Sequence, residues 1–205
     1  MKCTRSDTLT AVTPKSLSIA VAIAAVLVVL VVGLLQLRSS PAPAPSKLTL
    51  TQMRARLAGS PPALAALHVQ ANEIVSGGLS ALRARLDALR GTPVVINKWA
   101  SWCEPCREEF GVFQRVSVSR GREVAFLGID SNDSRDHALA FLRAFPVSYP
   151  SFYDPSGAAG LAVTDSGNTP VTVFVNRSGG EFIHQGPFLS VAKLEAAVRR
   201  YALDA

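Results

Sequence analysis

Residues 94–110, VVINKWASWCEPCREEF, are the most informative segment because they join a β-branched run to two cysteines that are separated by two residues. Residues 92–100 (TPVVINKWA) have the length and composition of a buried strand bounded by turn residues. After the cysteines, apolar side chains recur at helical spacing as far as Val116. We therefore predict a strand that leads into a helix, with Cys103 at the helix N-terminus and Cys106 one turn later on the same face.

This position suits the two cysteines to thiol–disulfide exchange. Unpaired N–H groups and the helix dipole favour a thiolate at a helix N-terminus, which lowers the pKa of the Cys103 thiol. Pro105 fits the first helical turn, where its missing N–H has no partner to lose, and it stiffens the loop between the sulfurs. Cys106 can then attack a mixed disulfide formed on Cys103. We predict that Cys103 is the nucleophile and Cys106 the resolving thiol.

Four other uses of the cysteines have less support. A zinc site needs two more Cys or His ligands, and Cys3, His137 and His184 lie far from the cysteine pair in the sequence. Two inert buried thiols would be poorly placed at a junction between a strand and a helix. A protease-like pair lacks a nearby His, and a peroxiredoxin would carry a Thr shortly before its reactive Cys. We predict neither a metal nor a cofactor.

The segments that follow alternate between strands and helices. The sequence predicts a second strand at 123–130, a helix at 134–145 and a β-hairpin at 169–186. A short strand and a short helix precede the hairpin, and an amphipathic helix follows it. Two βα units that lead into an antiparallel hairpin indicate an α/β fold, a mixed sheet with helices on both faces.

Residues 94–110 resemble the active-site segment of thioredoxin-fold proteins, in particular the membrane-anchored TlpA/ResA-like thiol-disulfide oxidoreductases. The resemblance covers about residues 79–205, and W-C-x-x-C after a Val/Ile strand is a highly specific part of it. The hairpin that begins NTPVTVFVN is the second matching landmark. The resemblance implies a thioredoxin-like mixed sheet flanked by helices, with an N-terminal transmembrane helix and a short helical preface.

The resemblance also assigns further site residues. It implies a cis peptide bond at Thr169–Pro170 in a loop that faces the cysteines, where backbone groups can pair with an extended substrate. We therefore place Trp102, Thr169 and Pro170 in the substrate groove. It implies that Glu109, one turn beyond the second cysteine, modulates the cysteine pKa. Asn97 stands where cytosolic thioredoxins keep a buried Asp, and an amide cannot relay a proton.

Acidic residues around the cysteines favour a reductant. Glu104 lies between the cysteines and Glu109 follows them, and negative charge raises the pKa of a nearby thiol. We predict that these two residues and Pro105 tune the couple of a protein-disulfide reductase. The alternatives are a disulfide-forming oxidant and a non-redox adaptor with a thioredoxin fold. The resemblance implies that the partners are client protein disulfides, apocytochrome c among them, and a membrane electron donor of the CcdA/DsbD type.

Residues 17–37 (LSIAVAIAAVLVVLVVGLLQL) form an uncharged apolar run that is long enough to span the hydrocarbon core as a helix. The run exceeds the roughly 7–15 apolar residues of a signal peptide, so we predict an uncleaved signal anchor. Residues 1–16 are then a short tail, and residues 38–47 a Pro/Ala/Ser tether. A helical preface at 48–78 leads to the thioredoxin-like domain at 79–205, which we expect outside the cytoplasm of a single-pass cell-membrane protein.

The helical preface contains two or three short amphipathic helices by its apolar spacing. One of them carries Leu64, Leu67, Ala71 and Ile74 on a single face. His68 has no second ligand at metal-binding spacing, so we interpret it as a structural histidine. We expect the apolar faces of these helices to pack against another apolar surface.

Composition limits the remaining function classes. The chain has 205 residues and a net charge of +6, enough for one ordinary domain with appendages. Its Lys and Arg residues are scattered without a basic block, which argues against nucleic-acid binding. Three cysteines are too few for a disulfide framework. We expect a monomer.

Overall fold

The computed structural model describes residues 25–28 and 48–204. The chain divides into two compact units, Met1–Pro41 and Ala42–Ala205. In the first unit, the four described residues are helical. The second unit contains the sheet and the helices that flank it.

The predictions for the N-terminal region fall mainly outside the described residues. This applies to the tail at 1–16, to the tether at 38–47 and to all of the apolar run at 17–37 except residues 25–28. Over the ranges that the structure describes, no helix combines the length and the apolar character needed to cross a membrane.

A six-stranded mixed sheet forms the centre of the second unit. Its strands are β1 (Ile74–Val75), β2 (Val94–Trp99), β3 (Ala125–Ser131), β4 (Ser151–Asp154), β5 (Val171–Val175) and β6 (Glu181–Gln185). Their spatial order is β1-β4-β3-β2-β5-β6. Strands β1 to β4 run parallel to one another, whereas β5 is antiparallel to both β2 and β6. This confirms the predicted mixed sheet.

Helices cover both faces of the sheet. They are α1 (Leu50–Leu57), α2 (Pro62–Val69), α3 (Gly78–Ala88), α4 (Glu104–Arg120), α5 (Arg135–Ala144), α6 (Ala158–Thr164) and α7 (Val191–Val198), followed by a π-helical turn (Arg199–Leu203). Side chains of α4, α5 and α7 build one core cluster, and side chains of α2, α3 and α6 build the other. The predicted arrangement of helices on both faces is confirmed.

Strand β2 lies inside the sheet, between β3 and β5. All six of its residues are buried. Val95 and Trp99 belong to one core cluster, and Val94 and Ile96 belong to the other. A strand that is covered on both faces is rich in apolar residues, as Val94, Val95 and Ile96 are here. This apolar run is the reason that the sequence could predict the strand. The cysteines follow shortly after the carboxyl end of this strand.

The prediction of one helical face from Leu64 to Ile74 is wrong at its C-terminal end. Helix α2 stops at Val69, and Ile74 lies in β1, in register with Ser151 of β4. The cause is Asn72, which has φ 67° and donates its side-chain amide to Leu142 O at 3.2 Å. A left-handed residue cannot continue a right-handed helix, and the bond to a distant carbonyl holds Asn72 in this conformation, so the next residues can add a strand to the sheet.

Candidate active site

The two cysteines lie where β2 gives way to α4. Helix α4 begins at Glu104, and Cys103 is its N-cap residue, with extended backbone at φ −82° and ψ 107°. Pro105 occupies the first turn, as the sequence predicts for a residue without an N–H. Cys106 follows in the same turn. The 17-residue helix therefore directs its N-terminal N–H groups at the cysteine pair.

Cys103 and Cys106 form a disulfide bond, with the two Cα atoms 5.3 Å apart. The backbone N–H of Cys106 also points at the Cys103 sulfur, at 3.3 Å. Cys103 retains 3 % of its surface, whereas Cys106 has none. An incoming group can therefore reach Cys103 more easily than Cys106, and an N–H is in place to stabilise negative charge on the Cys103 sulfur.

Hydrogen bonds fix the loop that precedes the cysteines. The Trp102 indole N–H donates to Asn132 O at 3.0 Å, and the Ser101 N–H donates to an oxygen of Asp133. Arg107 donates from Nη2 to Ser101 O at 2.7 Å. Trp102 is nevertheless 62 % exposed, so its ring is held at the surface beside Cys103 without being buried. The Trp102 ring therefore forms part of the exposed surface next to Cys103.

Glu109 is completely buried behind the cysteines. Its two oxygens accept hydrogen bonds from Asn97 Nδ2 at 2.8 Å and from the Phe188 N–H at 3.0 Å. Burial raises the pKa of Glu109 to about 8, against the opposing effect of these two hydrogen bonds. Three positions after Cys106 on one helix, Glu109 lies on the face that carries the second sulfur. The Glu109 carboxyl therefore keeps its proton near neutral pH and lies on the same helix face as Cys106.

Glu104 has a different environment from Glu109, although the sequence suggested the same role for both. Its side chain is 79 % exposed and lies 3.7 Å from the guanidinium of Arg107. Water and this neighbouring cation screen its charge. We therefore expect Glu104 to affect the cysteine pKa less than the buried Glu109 does.

The predicted substrate-groove residues Thr169 and Pro170 lie at the same end of the sheet as the cysteines. Strand β5 begins directly after Pro170, and Val171 is in register with Lys98 near the carboxyl end of β2. The Thr169–Pro170 peptide bond is cis, as the resemblance implies. Pro170 is buried and its carbonyl accepts the N–H of Gly186, at 3.0 Å.

No group of three or more His, Cys, Asp or Glu side chains within the described ranges is arranged to hold a metal ion. Both site cysteines are occupied by their mutual bond. His68 is buried, and His137 lies exposed on α5.

Sequence reasoning missed the polar residues that support the site from other strands. Asp130 and Lys98 lie at the carboxyl ends of β3 and β2, and both are almost fully buried. Lys98 donates from Nζ to Ser166 O at 2.7 Å. A charged residue at the end of an otherwise apolar strand is the signal that could have identified them, because such residues rarely enter a core without a partner.

The chain is similar in sequence to known redox proteins. Residues 81–182 match the Redoxin family model. The thiol:disulfide interchange protein DsbE of Allochromatium vinosum is 38% identical over 37% of this chain and 41% of its own length. The thiol-disulfide oxidoreductase ResA of Bacillus subtilis is 26% identical over 47% of this chain and 54% of its own. The chain thus spans about half the length of the curated relatives it matches.

Solved structures show the same likeness. The DsbF protein of MTB, in mixed oxidised and reduced forms, superposes with a TM-score of 0.53 at 27% identity, over 57% of this chain and 85% of its own. A DsbF homologue from Corynebacterium diphtheriae gives a TM-score of 0.50 at 27% identity, over 55% of this chain and 74% of its own. The predicted resemblance to thioredoxin-like thiol-disulfide oxidoreductases is confirmed.

Proposed function

Because this chain resembles thioredoxin-like thiol-disulfide oxidoreductases, we propose that it catalyses thiol–disulfide exchange and acts as a reductant of protein disulfides. The observation that carries the proposal is the Cys103–Cys106 disulfide at the N-terminus of α4, with the Cys106 N–H directed at the Cys103 sulfur. A non-redox adaptor has no need of both thiols at this position.

In the proposed reaction, the reduced Cys103 thiolate attacks a client disulfide. A mixed disulfide forms between Cys103 and one client sulfur, and the other client sulfur leaves as a thiolate. Cys106 then loses its proton and attacks the Cys103 sulfur, which releases the second client thiolate and leaves the Cys103–Cys106 disulfide. Two electrons have moved to the client, and both client sulfurs take up protons.

The buried carboxyl of Glu109 supports electron flow from this protein to its client. A strong oxidant stabilises its reduced, thiolate form, whereas the carboxyl of Glu109 adds no positive charge near the sulfurs and becomes negative above a pH of about 8. Glu109 therefore gives the thiolate no stabilisation at neutral pH and opposes it above a pH of about 8, which argues against the oxidant role.

The partners and the location are the finer part of the proposal. The resemblance to TlpA/ResA-like proteins, together with the apolar run at 17–37, supports a domain tethered to the outer side of the cell membrane. A reductant outside the cytoplasm must be recharged with electrons from the inside. We therefore propose a membrane donor of the CcdA/DsbD type, with apocytochrome c as a client.

Trapping of a client tests the exchange reaction and the roles of its two cysteines. With Cys106→Ser, attack still occurs but resolution does not, so a mixed disulfide with a disulfide-containing peptide should accumulate. With Cys103→Ser, neither insulin reduction nor trapping should remain. Equal trapping by the two variants, seen as mass-shifted adducts, would contradict the assigned roles. A wild-type chain that fails to reduce insulin would contradict the proposed function.

A further inference from the structure

A second buried carboxyl lies beside the active-site loop, at the carboxyl end of β3. Asp130 is 0 % exposed, and neither of its oxygens meets a hydrogen-bond donor within the described residues. It is in register with Trp99 of β2 and Tyr153 of β4. A buried carboxylate without donors is unstable, so this group keeps its proton and needs a partner that accepts its hydrogen bond.

Asp133 is that partner. It follows Asp130 by three residues, and its charge and its side-chain hydrogen bond both raise the pKa of Asp130. One Asp133 oxygen accepts the Ser101 N–H and the other accepts the Ser134 N–H, at 2.7 Å. Two carboxyl groups form a hydrogen bond only when one of them keeps its proton. Since both oxygens of Asp133 already face N–H donors, Asp133 is the ionised member of the pair and Asp130 the protonated one.

The other charged groups near Asp130 agree with this assignment. Burial, followed by the charge and hydrogen bond of Asp133 and then the charge of Asp154, raises the pKa of Asp130 to about 8. Arg135 is the opposing group, since its positive charge lowers this pKa. However, its guanidinium donates to Ile74 O and to Ser76 Oγ, at 2.7 and 3.1 Å, and makes no hydrogen bond to Asp130.

The Asp130–Asp133 pair connects to the redox site through Ser101, two residues before Cys103. We propose that Asp130 is a positioning residue for the active-site loop, which holds Ser101 in place by donating a hydrogen bond to Asp133. This inference rests on the proposed exchange function. When Asp130 loses its proton, two carboxylates face each other, and the attachment of Ser101 to Asp133 weakens.

Asp130→Asn and Asp130→Ala separate this role from simple filling of space. The Asn amide can still donate a hydrogen bond to Asp133 but cannot titrate, whereas Ala can do neither. The first measurement is the Ser101 amide chemical shift against pH, by NMR on the full-length oxidised chain in a mild detergent. No cysteine titrates in that state because both sulfurs are in the disulfide.

We expect a titration step of the Ser101 amide near the pKa of Asp130, about 8. Asp130→Asn should remove the step. Glu109→Gln should retain it, which matters because the pKa of Glu109 is also about 8. A step that persists in Asp130→Asn, or that disappears in Glu109→Gln, would overturn the proposal.

The second measurement is the rate of insulin reduction against pH. At neutral pH, Asp130→Asn should stay near the wild-type rate, whereas Asp130→Ala should lose on the order of tenfold through misplacement of the loop. Equal rates for the two variants would overturn the positioning role. If the wild-type chain reduces no disulfide at all, the proposed function fails, and the Ser101 titration still decides whether Asp130 holds the loop.

Discussion

At the scale of single residues, the site places a reachable sulfur in front of buried acids. Cys103 keeps a small exposed surface, while Cys106 and Glu109 have none. A buried charge acts on its neighbours more strongly than a charge in water does. The buried Glu109 should therefore influence the couple, and the solvent-exposed Glu104 provides a matched comparison on the same helix.

Above a pH of about 8, where Glu109 loses its proton, the Glu109→Gln variant should hold more of Cys103 as thiolate than the wild-type chain does, because it lacks the negative charge that opposes the thiolate. In that pH range the potential of the couple should rise accordingly. Glu104→Gln should change the thiol pKa much less, since water screens Glu104. Thiolate absorbance against pH measures both effects. Shifts of equal size in the two variants would show that burial of Glu109 has no influence on the couple.

Stability should fall as pH rises from about 4 to about 8. The pKa values of Glu109 and Asp130 are raised to about 8 in the folded chain, whereas unfolded carboxyls titrate near 4. Within this window the folded state binds more protons, and each group can contribute a loss of up to about 1.4 kcal/mol per pH unit. Urea unfolding at several pH values measures the slope.

The Glu109→Gln and Asp130→Asn variants should each make this dependence of stability on pH shallower. Both substitutions replace a titrating carboxyl with a neutral amide of similar shape. Slopes identical to that of the wild-type chain would mean that these carboxyls ionise inside the fold without penalty.

Only part of the site at this scale could be predicted from the sequence. The cysteine pair has a local pattern, a strand followed by W-C-x-x-C, so its position needed no knowledge of tertiary contacts. Asp130 has no such pattern, because its role depends on Asp133 in the following loop and on the Ser101 N–H of another segment. Contacts between distant segments are not visible in local spacing.

At the scale of elements, the junction between β2 and α4 determines the chemistry, and short polar segments determine where the other elements end. Strands β2 and β3 were predictable because each is buried throughout and begins with a run of apolar residues. Strand β1 was missed because it has only two residues and follows a helix-like spacing. Asn72, which stands before it, ends that spacing through contacts with residues about 70 positions away.

Asn72→Ala should therefore destabilise the fold without altering the redox site. The side chain of Asn72 donates to Leu142 O and accepts the Val147 N–H, at 3.2 and 2.9 Å. Loss of these bonds, together with a left-handed backbone that Ala tolerates poorly, should cost about 1–3 kcal/mol. Chemical denaturation measures this loss, and the potential of the cysteine couple should stay unchanged. A large change in potential would mean that β1 contributes to the site.

At the scale of the whole molecule, the chain combines a long apolar run with a separate sheet-and-helix unit. Both core clusters are built from residues after position 63. The α/β architecture was predictable because apolar periodicity shows the order of its elements, and the thioredoxin-like fold was implied by the resemblance of residues 94–110. The choice of client and electron donor was not, since it depends on surfaces that no periodic pattern reveals.

A fragment that begins at Lys47 should be soluble and monomeric without detergent, because it lacks the apolar run at 17–37. It should also reduce insulin at a rate close to that of the full chain. Size-exclusion chromatography with light scattering tests the first expectation. A fragment that dissolves only in detergent would contradict the division into an anchor and a catalytic domain.

The reduction potential of the Cys103–Cys106 couple tests the proposed reductase function most directly. The two sulfurs already form a disulfide, and equilibration with glutathione at neutral pH gives its potential. The proposed function predicts a value near that of thioredoxin, about −270 mV. A potential near that of a strong oxidant, about −120 mV, would reverse the direction of the reaction and contradict the assignment.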